Sequence, residues 1–288
     1  MSEWAKGIVT WREQERLCVS VPFTWLLGEA RGLCLSHPND RIVVGGPAVR
    51  LLPDFLAGIP NVEVETITPD DPLRRANPDA SRTTVGCPNA CAFCGVRTIE
   101  GAYEELAEWR PAPVLCDSNF LACSDAHFDR VIDQLKRSDF PDVDFNQGLD
   151  ARLFTLERAR RFGEIRTTVR FAWDDAGGEG DLFRAIATAK AAGLPTSRLP
   201  VYCIVGFRET PEEAAYRLQT LKDRRLRGFA MRYQPLDALE QNAYQPPQWE
   251  PQLLKDFCRY WNRQAWLGGM TLDEYRAGLR DDRQQVLL

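Results

Sequence analysis

Thr83-Thr-Val-Gly-Cys87-Pro-Asn-Ala-Cys91-Ala-Phe-Cys94 places three cysteines within eight residues, spaced C-x-x-x-C-x-x-C, directly after a short β-branched run. Three thiolates at that spacing wrap one small centre, and thiolates suit either an iron–sulfur cluster or zinc. Zinc wants a fourth protein ligand, usually from a second nearby Cys or His pair. None stands close in the chain: His37 and His127 are isolated, and Cys18, Cys34, Cys116, Cys123, Cys203 and Cys258 are dispersed. Three ligands leave one iron of a cubane cluster open to a substrate or cofactor.

Downstream of this loop the chain alternates regularly. Residues 83–85, 113–117, 143–147, 168–173, 199–205 and 229–233 read as short apolar strands. Helical patterns follow at 126–136, with Ser124-Asp125 as the cap, and at 155–162, 182–192 and 211–222. Apolar strands alternating with helices predict a parallel sheet covered by helices. Six βα units in roughly 155 residues are too many for most open nucleotide folds and too few for an eight-fold barrel, so the predicted class is α/β, a partial (β/α)6 TIM-type barrel. Active sites of such folds lie at the carboxyl ends of the strands. Those ends fall here at residues 86–94, 117–119, 146–152, 174–175 and 206–210, where polar residues concentrate.

Upstream, Arg41-Ile-Val-Val-Gly-Gly-Pro47 reads as a buried strand stopped by a turn, residues 51–56 as a helix, and Asn61-Val-Glu-Val-Glu65 as an alternating strand. The polar stretch 66–80 reads as a linker. Beyond Pro235 the chain turns Pro- and Gln-rich, then predicts a helix over 252–266 and a last helix opened by the capping box Thr271-Leu-Asp-Glu274. The expected organisation is a small N-terminal α/β unit (1–80), the partial barrel (81–235) and a C-terminal helical tail (236–288).

Composition narrows the class further. With 44% hydrophobic and 27% charged residues in 288, the chain is globular in type and long enough for one sizeable core. The 36 basic and 41 acidic residues leave a net charge of −5, so the footprint of a dedicated nucleic-acid binder is missing. No window approaches a membrane span. The opening MSEWAKGIVTWREQER intersperses charges where a secretory signal needs an apolar run. With an odd count of nine cysteines, this predicts reduced thiols and a cytoplasmic protein.

The cysteine spacing with Phe93 before the third cysteine, the preceding strand and the following βα alternation resemble the radical S-adenosylmethionine (SAM) superfamily over about residues 81–236. Leu115-Cys-Asp-Ser-Asn-Phe120 and Val201-Tyr-Cys-Ile-Val-Gly-Phe-Arg-Glu-Thr-Pro-Glu-Glu213 are similar to segments of the branch related to cobalamin-dependent and methylthiolating members. The resemblance implies a 4Fe–4S cluster on Cys87, Cys91 and Cys94. It also implies reductive cleavage of SAM to a 5′-deoxyadenosyl radical, hydrogen abstraction from a substrate, and an electron donor such as flavodoxin or ferredoxin.

SAM contacts are expected from Phe93, Asp117, Asn119, Gln147, Arg152, Asp174 and Ile204. Asp117-Ser-Asn119 departs from the family's Gly-Gly-Glu, so the roles there stay open. Gln147, Asp150 and Arg152 either bind SAM or cap and pair locally. Asp174-Asp175 either contact the cofactor or serve a helix N-terminus. Cys123 is either a hydrogen donor or a small buried hydrophobe. Phe257, Tyr260, Trp261 and Trp266 read as packing first and a stacking platform second. Arg41 to Pro47 is similar to the Gly-Gly-Pro strand of cobalamin-binding domains. The unit is about half their size, however, and lacks an Asp-x-His-x-x-Gly segment, so cobalamin is expected to be unlikely. A small molecule, nucleotide or short peptide is the favoured substrate. A nucleic acid is the lesser expectation, through local clusters such as Arg158, Arg160 and Arg161, or Arg224, Arg225 and Arg227. The competing class is a non-catalytic iron–sulfur or zinc protein that keeps the fold.

Overall fold

The computed structural model describes residues 3–64 and 70–285. It divides into two compact units. The first comprises Met1–Gln147, Arg161–Thr168 and Gln234–Tyr244, the second Gly148–Arg160, Val169–Tyr233 and Gln245–Leu288.

The first unit opens on a hairpin, β1 (Val9–Glu13) and β2 (Arg16–Ser20), turned at Gln14 with φ 54°. This hairpin is not evident in the sequence reading, because its burial alternates on one strand only. Helix α1 (Leu27–Ser36) leads to β3 (Arg41–Gly45), α2 (Pro47–Leu51) and β4 (Val62–Val64). The strands form one sheet in the order β1-β2-β3-β4, with β2-β3-β4 parallel. Its core face carries Leu17, Val19, Ile42 and Val44, packed with Leu27, Ala30 and Leu56. The helix expected over 51–56 starts instead at Pro47. Leu52 leaves the helical region ahead of Pro53, as a residue before proline does, and a 3-10 turn follows over Pro53–Leu56. The stretch read as a linker holds helix α3 (Asp70–Ala76); its residues 66–69, like Glu65 of the expected strand, lie outside the described residues.

After α3 come β5 (Ala80–Ser81), β6 (Thr84–Val85), α4 (Val96–Glu100), β7 (Glu104–Glu105), β8 (Val114–Leu115), α5 (Asp125–Arg137) and β9 (Val143–Leu149). Strands β5, β8 and β9 pair in parallel in that order. The strand expected at 83–85 is thereby corrected. The parallel strand is β5, two residues upstream, while β6 pairs antiparallel with β7. Thr83 and Thr84 spend their backbone N–H groups on Asp117, which ends the parallel ladder before the β-branched run does. Phe120, Phe128, Phe145 and Phe162 form the core here, with centroids 4.9–6.4 Å apart in offset and edge-to-face pairs. Phe162 belongs to α6 (Leu156–Phe162), which begins in the second unit.

The remaining elements are β10 (Thr167–Ala172), α7 (Glu179–Ala191), β11 (Val201–Val205), α8 (Pro211–Asp223), β12 (Gly228–Arg232), α9 (Pro251–Asn262) and α10 (Leu272–Gln285). Strands β10, β11 and β12 pair in parallel. Val169, Phe171, Val201, Cys203, Val205 and Ala230 are buried, whereas Arg170, Tyr202, Ile204 and Phe229 on the opposite face are half-buried. This alternation means that one sheet face is buried and the other only partly covered. Helix α9 stops at Asn262, four residues short of the expectation, because Gln264 turns into the left-handed region at φ 54°. The predicted capping box before α10 forms: Glu274 N–H donates to Thr271 Oγ1 at 3.2 Å and Thr271 N–H to Glu274 Oε2 at 2.7 Å. No helix among the described residues is long and apolar enough to cross a membrane.

Candidate functional site

The cysteine loop hangs from the end of β6. Gly86 has φ +73°, and a Cβ there would run into the Ala102 carbonyl and lie 2.9 Å from Tyr103 N. Only glycine fits this turn. Cys87 is half-buried, while Cys91 and Cys94 are exposed, and none of the nine cysteines is in a disulfide. Asn89 N–H points at Cys87 Sγ from 3.4 Å and Asn119 Nδ2 from 3.5 Å. Donors aimed at sulfur suit a thiolate ligand of an iron–sulfur cluster. Among the described residues, no three His, Cys, Asp or Glu side chains already stand as a closed metal shell.

Asp117 and Asn119 follow β8 and are both buried. Asp117 Oδ1 accepts from Thr83 N–H at 2.7 Å, Thr84 N–H at 2.5 Å and both threonine hydroxyls at 3.0 Å. Burial pushes the Asp117 carboxyl above its ordinary range, against the pull of these four donors. Its Oδ2 and Asn119 Oδ1 are buried acceptors with no hydrogen-bond partner. Such orphaned acceptors, one of them on the side chain that reaches Cys87, match a ligand that brings N–H donors. His127, in the first turn of α5, is buried and held near neutrality by that burial, and Arg130 lies 2.9 Å from its Nδ1.

In the second unit Asp174 follows β10, and its Oδ1 accepts from Ile204 N–H at 3.0 Å. Burial raises its carboxyl as well. The buried Arg217 of α8 donates to Trp173 O at 2.5 Å and Ile204 O at 2.8 Å and lies 3.5 Å from Glu209. Glu209 in turn accepts from Gly206 N–H at 2.6 Å, in a turn with φ +86°. The structure therefore brings Asp174 and Ile204 into direct contact, with Arg217 and Glu209 beside Ile204. Glu209 lies within the Val201–Glu213 segment quoted from the sequence, whereas Arg217 was not singled out, since its burial is not visible in the sequence.

The other expected contacts are in the following surroundings. Arg152 is exposed and forked onto Asp150 at 2.8 and 2.6 Å, the local pairing left open by the sequence. Asp175 Oδ1 accepts from Gly178 N–H at 3.1 Å and so serves a helical turn. Gln147 is exposed on β9, and Phe93 is half-buried in the loop. Cys123 is buried; so are Cys116 and Cys203, whose thiols burial pushes up to about 12. Phe257, Tyr260 and Trp261 pack against one another, and a cavity of about 570 Å³ lies between them and α8.

No family model and no curated protein matches the chain. Among solved structures, it is similar to the radical SAM methyltransferase TsrM from Kitasatospora setae with cobalamin and a 4Fe–4S cluster bound. The TM-score is 0.57 at 14% identity, over 78% of this chain and 66% of that one. The chain has the fold of a radical SAM protein. A second TsrM structure, with tryptophan substrate and the SAM analogue aza-SAM, matches with TM-score 0.55 at 15% identity, over 76% of this chain and 62% of that one. The chain thus spans about two thirds of the TsrM length. The radical SAM likeness also corrects one expectation. Cobalamin was expected to be unlikely, yet the solved proteins sharing this fold include one with cobalamin bound. The physical reason is that a missing Asp-x-His-x-x-Gly segment would remove one protein ligand, while apolar burial and hydrogen bonds could still hold such a cofactor. His37 follows α1 and precedes the amino end of β3, whereas Gly45-Gly46 stands at its carboxyl end, and His37 Nδ1 lies 2.9 Å from Leu33 O.

Proposed function

We propose that the chain is a radical SAM enzyme whose Cys87, Cys91 and Cys94 hold a 4Fe–4S cluster. The observation that carries this reading is the three-thiol loop at the end of β6, with N–H donors on Cys87 and two orphaned acceptors, Asp117 Oδ2 and Asn119 Oδ1, behind it. When bound, cluster and SAM supply one-electron cleavage chemistry that delivers a 5′-deoxyadenosyl radical. The chain's own part is to pin the loop, offer acceptors to the SAM amine and keep water from the reacting carbon. Phe93, Asp117, Asn119 and Gln147 are the proposed SAM contacts of the first unit. Arg152, Asp174 and Ile204 are the candidates of the second, each judged by its own substitution. In this reading strands β5 and β8 to β12 curve as a partial barrel, residues 1–80 are its extension and 236–288 a helical tail. A small molecule, nucleotide or short peptide is the substrate, a flavodoxin- or ferredoxin-type protein the electron donor, and the reducing cytoplasm the setting.

A methyl-transfer outcome is the second reading, supported by the likeness in fold to the two methyltransferase structures above. Anaerobic reconstitution, with and without added cobalamin, tests the site. About four irons per chain and a SAM-induced spectral change support the proposal, whereas one zinc and no SAM response overturn it. The SAM-derived product then separates the chemistries: 5′-deoxyadenosine for hydrogen abstraction, S-adenosylhomocysteine for methyl transfer.

A further inference from the structure

Glu100 is the last residue of α4, the end where the helix dipole disfavours a carboxylate, and its side chain is only 8% exposed. Three donors converge on it there. Oε2 accepts from Gly86 N–H and from Ser118 Oγ, each at 2.8 Å, and Oε1 accepts from Arg82 Nη1 at 2.5 Å. Arg82 follows β5, Gly86 immediately precedes Cys87, and Ser118 lies between Asp117 and Asn119. Arg50 caps the same helix end through Ile99 O.

We infer that Glu100 is a positioning residue of the cysteine loop: its buried carboxylate locks the left-handed Gly86 turn to Ser118, so that Cys87 meets the Asn119 amide in one fixed geometry. The inference rests on the proposed cluster site for its purpose but not for its physics. A buried carboxylate held by a guanidinium and two further donors tolerates no substitute that lacks an acceptor. Losing it frees an amide next to a glycine that has no side chain of its own to restrain it. Gln keeps one carbonyl oxygen for Gly86 and Ser118 but turns its amide N–H2 towards Arg82, losing both the ion pair and the hydrogen bond on that side.

Amide hydrogen exchange on the metal-free full chain, followed by iron content and electron paramagnetic resonance after reconstitution, tests this. Glu100→Ala is expected to speed exchange in the 86–94 peptide by about ten-fold, the equivalent of one lost hydrogen bond, and to broaden the spectrum of the reduced cluster. Glu100→Gln should restore most of the protection, and Ser118→Ala should speed exchange by roughly three-fold. A matched destabilised control, Leu135→Ala in α5, should leave the 86–94 peptide as in the unaltered protein. Wild-type exchange and spectrum in both Ser118→Ala and Glu100→Ala overturn the inference. Should Glu100→Ala not fold, Ser118→Ala and Glu100→Gln decide it. If the unaltered chain takes up no iron, the radical SAM reading falls, while the exchange result still decides the role of Glu100.

Discussion

Asn119 Nδ2 stands 3.5 Å from Cys87 Sγ, linking the residue after β8 to the first cysteine of the loop across 32 positions of sequence. A donor on a cluster sulfur stabilises the more negative, reduced state. Asn119→Ala is therefore expected to lower the reduction potential of the reconstituted protein, measured by redox titration of the cluster signal. An unchanged or raised potential would mean that the amide does not reach the bound sulfur.

Changing any one of Cys87, Cys91 or Cys94 to Ala should abolish cluster assembly, read by iron and sulfide assay. The same change at Cys18, Cys34, Cys203 or Cys258 should leave iron content intact. Burial pushes the Cys203 and Cys258 thiols up to about 12, which keeps them protonated and poor ligands.

Gly86→Ala should lower both loop order and stability. The added methyl meets Ala102 and Tyr103 backbone at a φ of +73°, so a cost of about 1–3 kcal/mol is expected in chemical denaturation. Gly180→Ala in α7, where nothing lies within 4 Å of the built Cβ, should be neutral or stabilising by comparison.

Arg217→Ala removes a buried cation that bonds Trp173 O and Ile204 O and faces Glu209. The two carbonyls and the carboxylate lose their partner, at about 3–5 kcal/mol by denaturant titration. Lys in its place supplies the charge without the fork and should recover only part of the loss.

His127 supplies a pH dependence. Burial lowers its folded pKa below the ordinary 6.5, so the protonated form is disfavoured in the fold. Its contribution to stability is then present above about pH 6.5 and is lost as pH falls from there through the depressed folded value. Unfolding midpoints measured from pH 8 to pH 5 should fall on acidification, and His127→Gln should flatten that slope.

Much of the element inventory was legible because period and end signals are local. The helix capped by Ser124, the strands at Arg41–Gly45 and Thr167–Ala172, and the Thr271–Glu274 box all repeat or terminate within a few residues of one another. The hairpin β1–β2 and the split between β5 and β6 were not legible, since each depends on which partner takes a backbone N–H rather than on side-chain pattern.

The sequence by itself determined the α/β alternation and the three thiols on one loop, because hydrophobic period and cysteine spacing are properties of neighbouring residues. Only the tertiary structure decided that Asp117 turns one oxygen to Thr83 and Thr84, that Glu100 gathers Arg82, Gly86 and Ser118, and that Arg217 bridges Trp173 to Ile204. These contacts join residues 13 to 44 positions apart. Burial forces each such polar group to find its donors or acceptors wherever the packed chain brings them, and that demand acts in space rather than along the sequence.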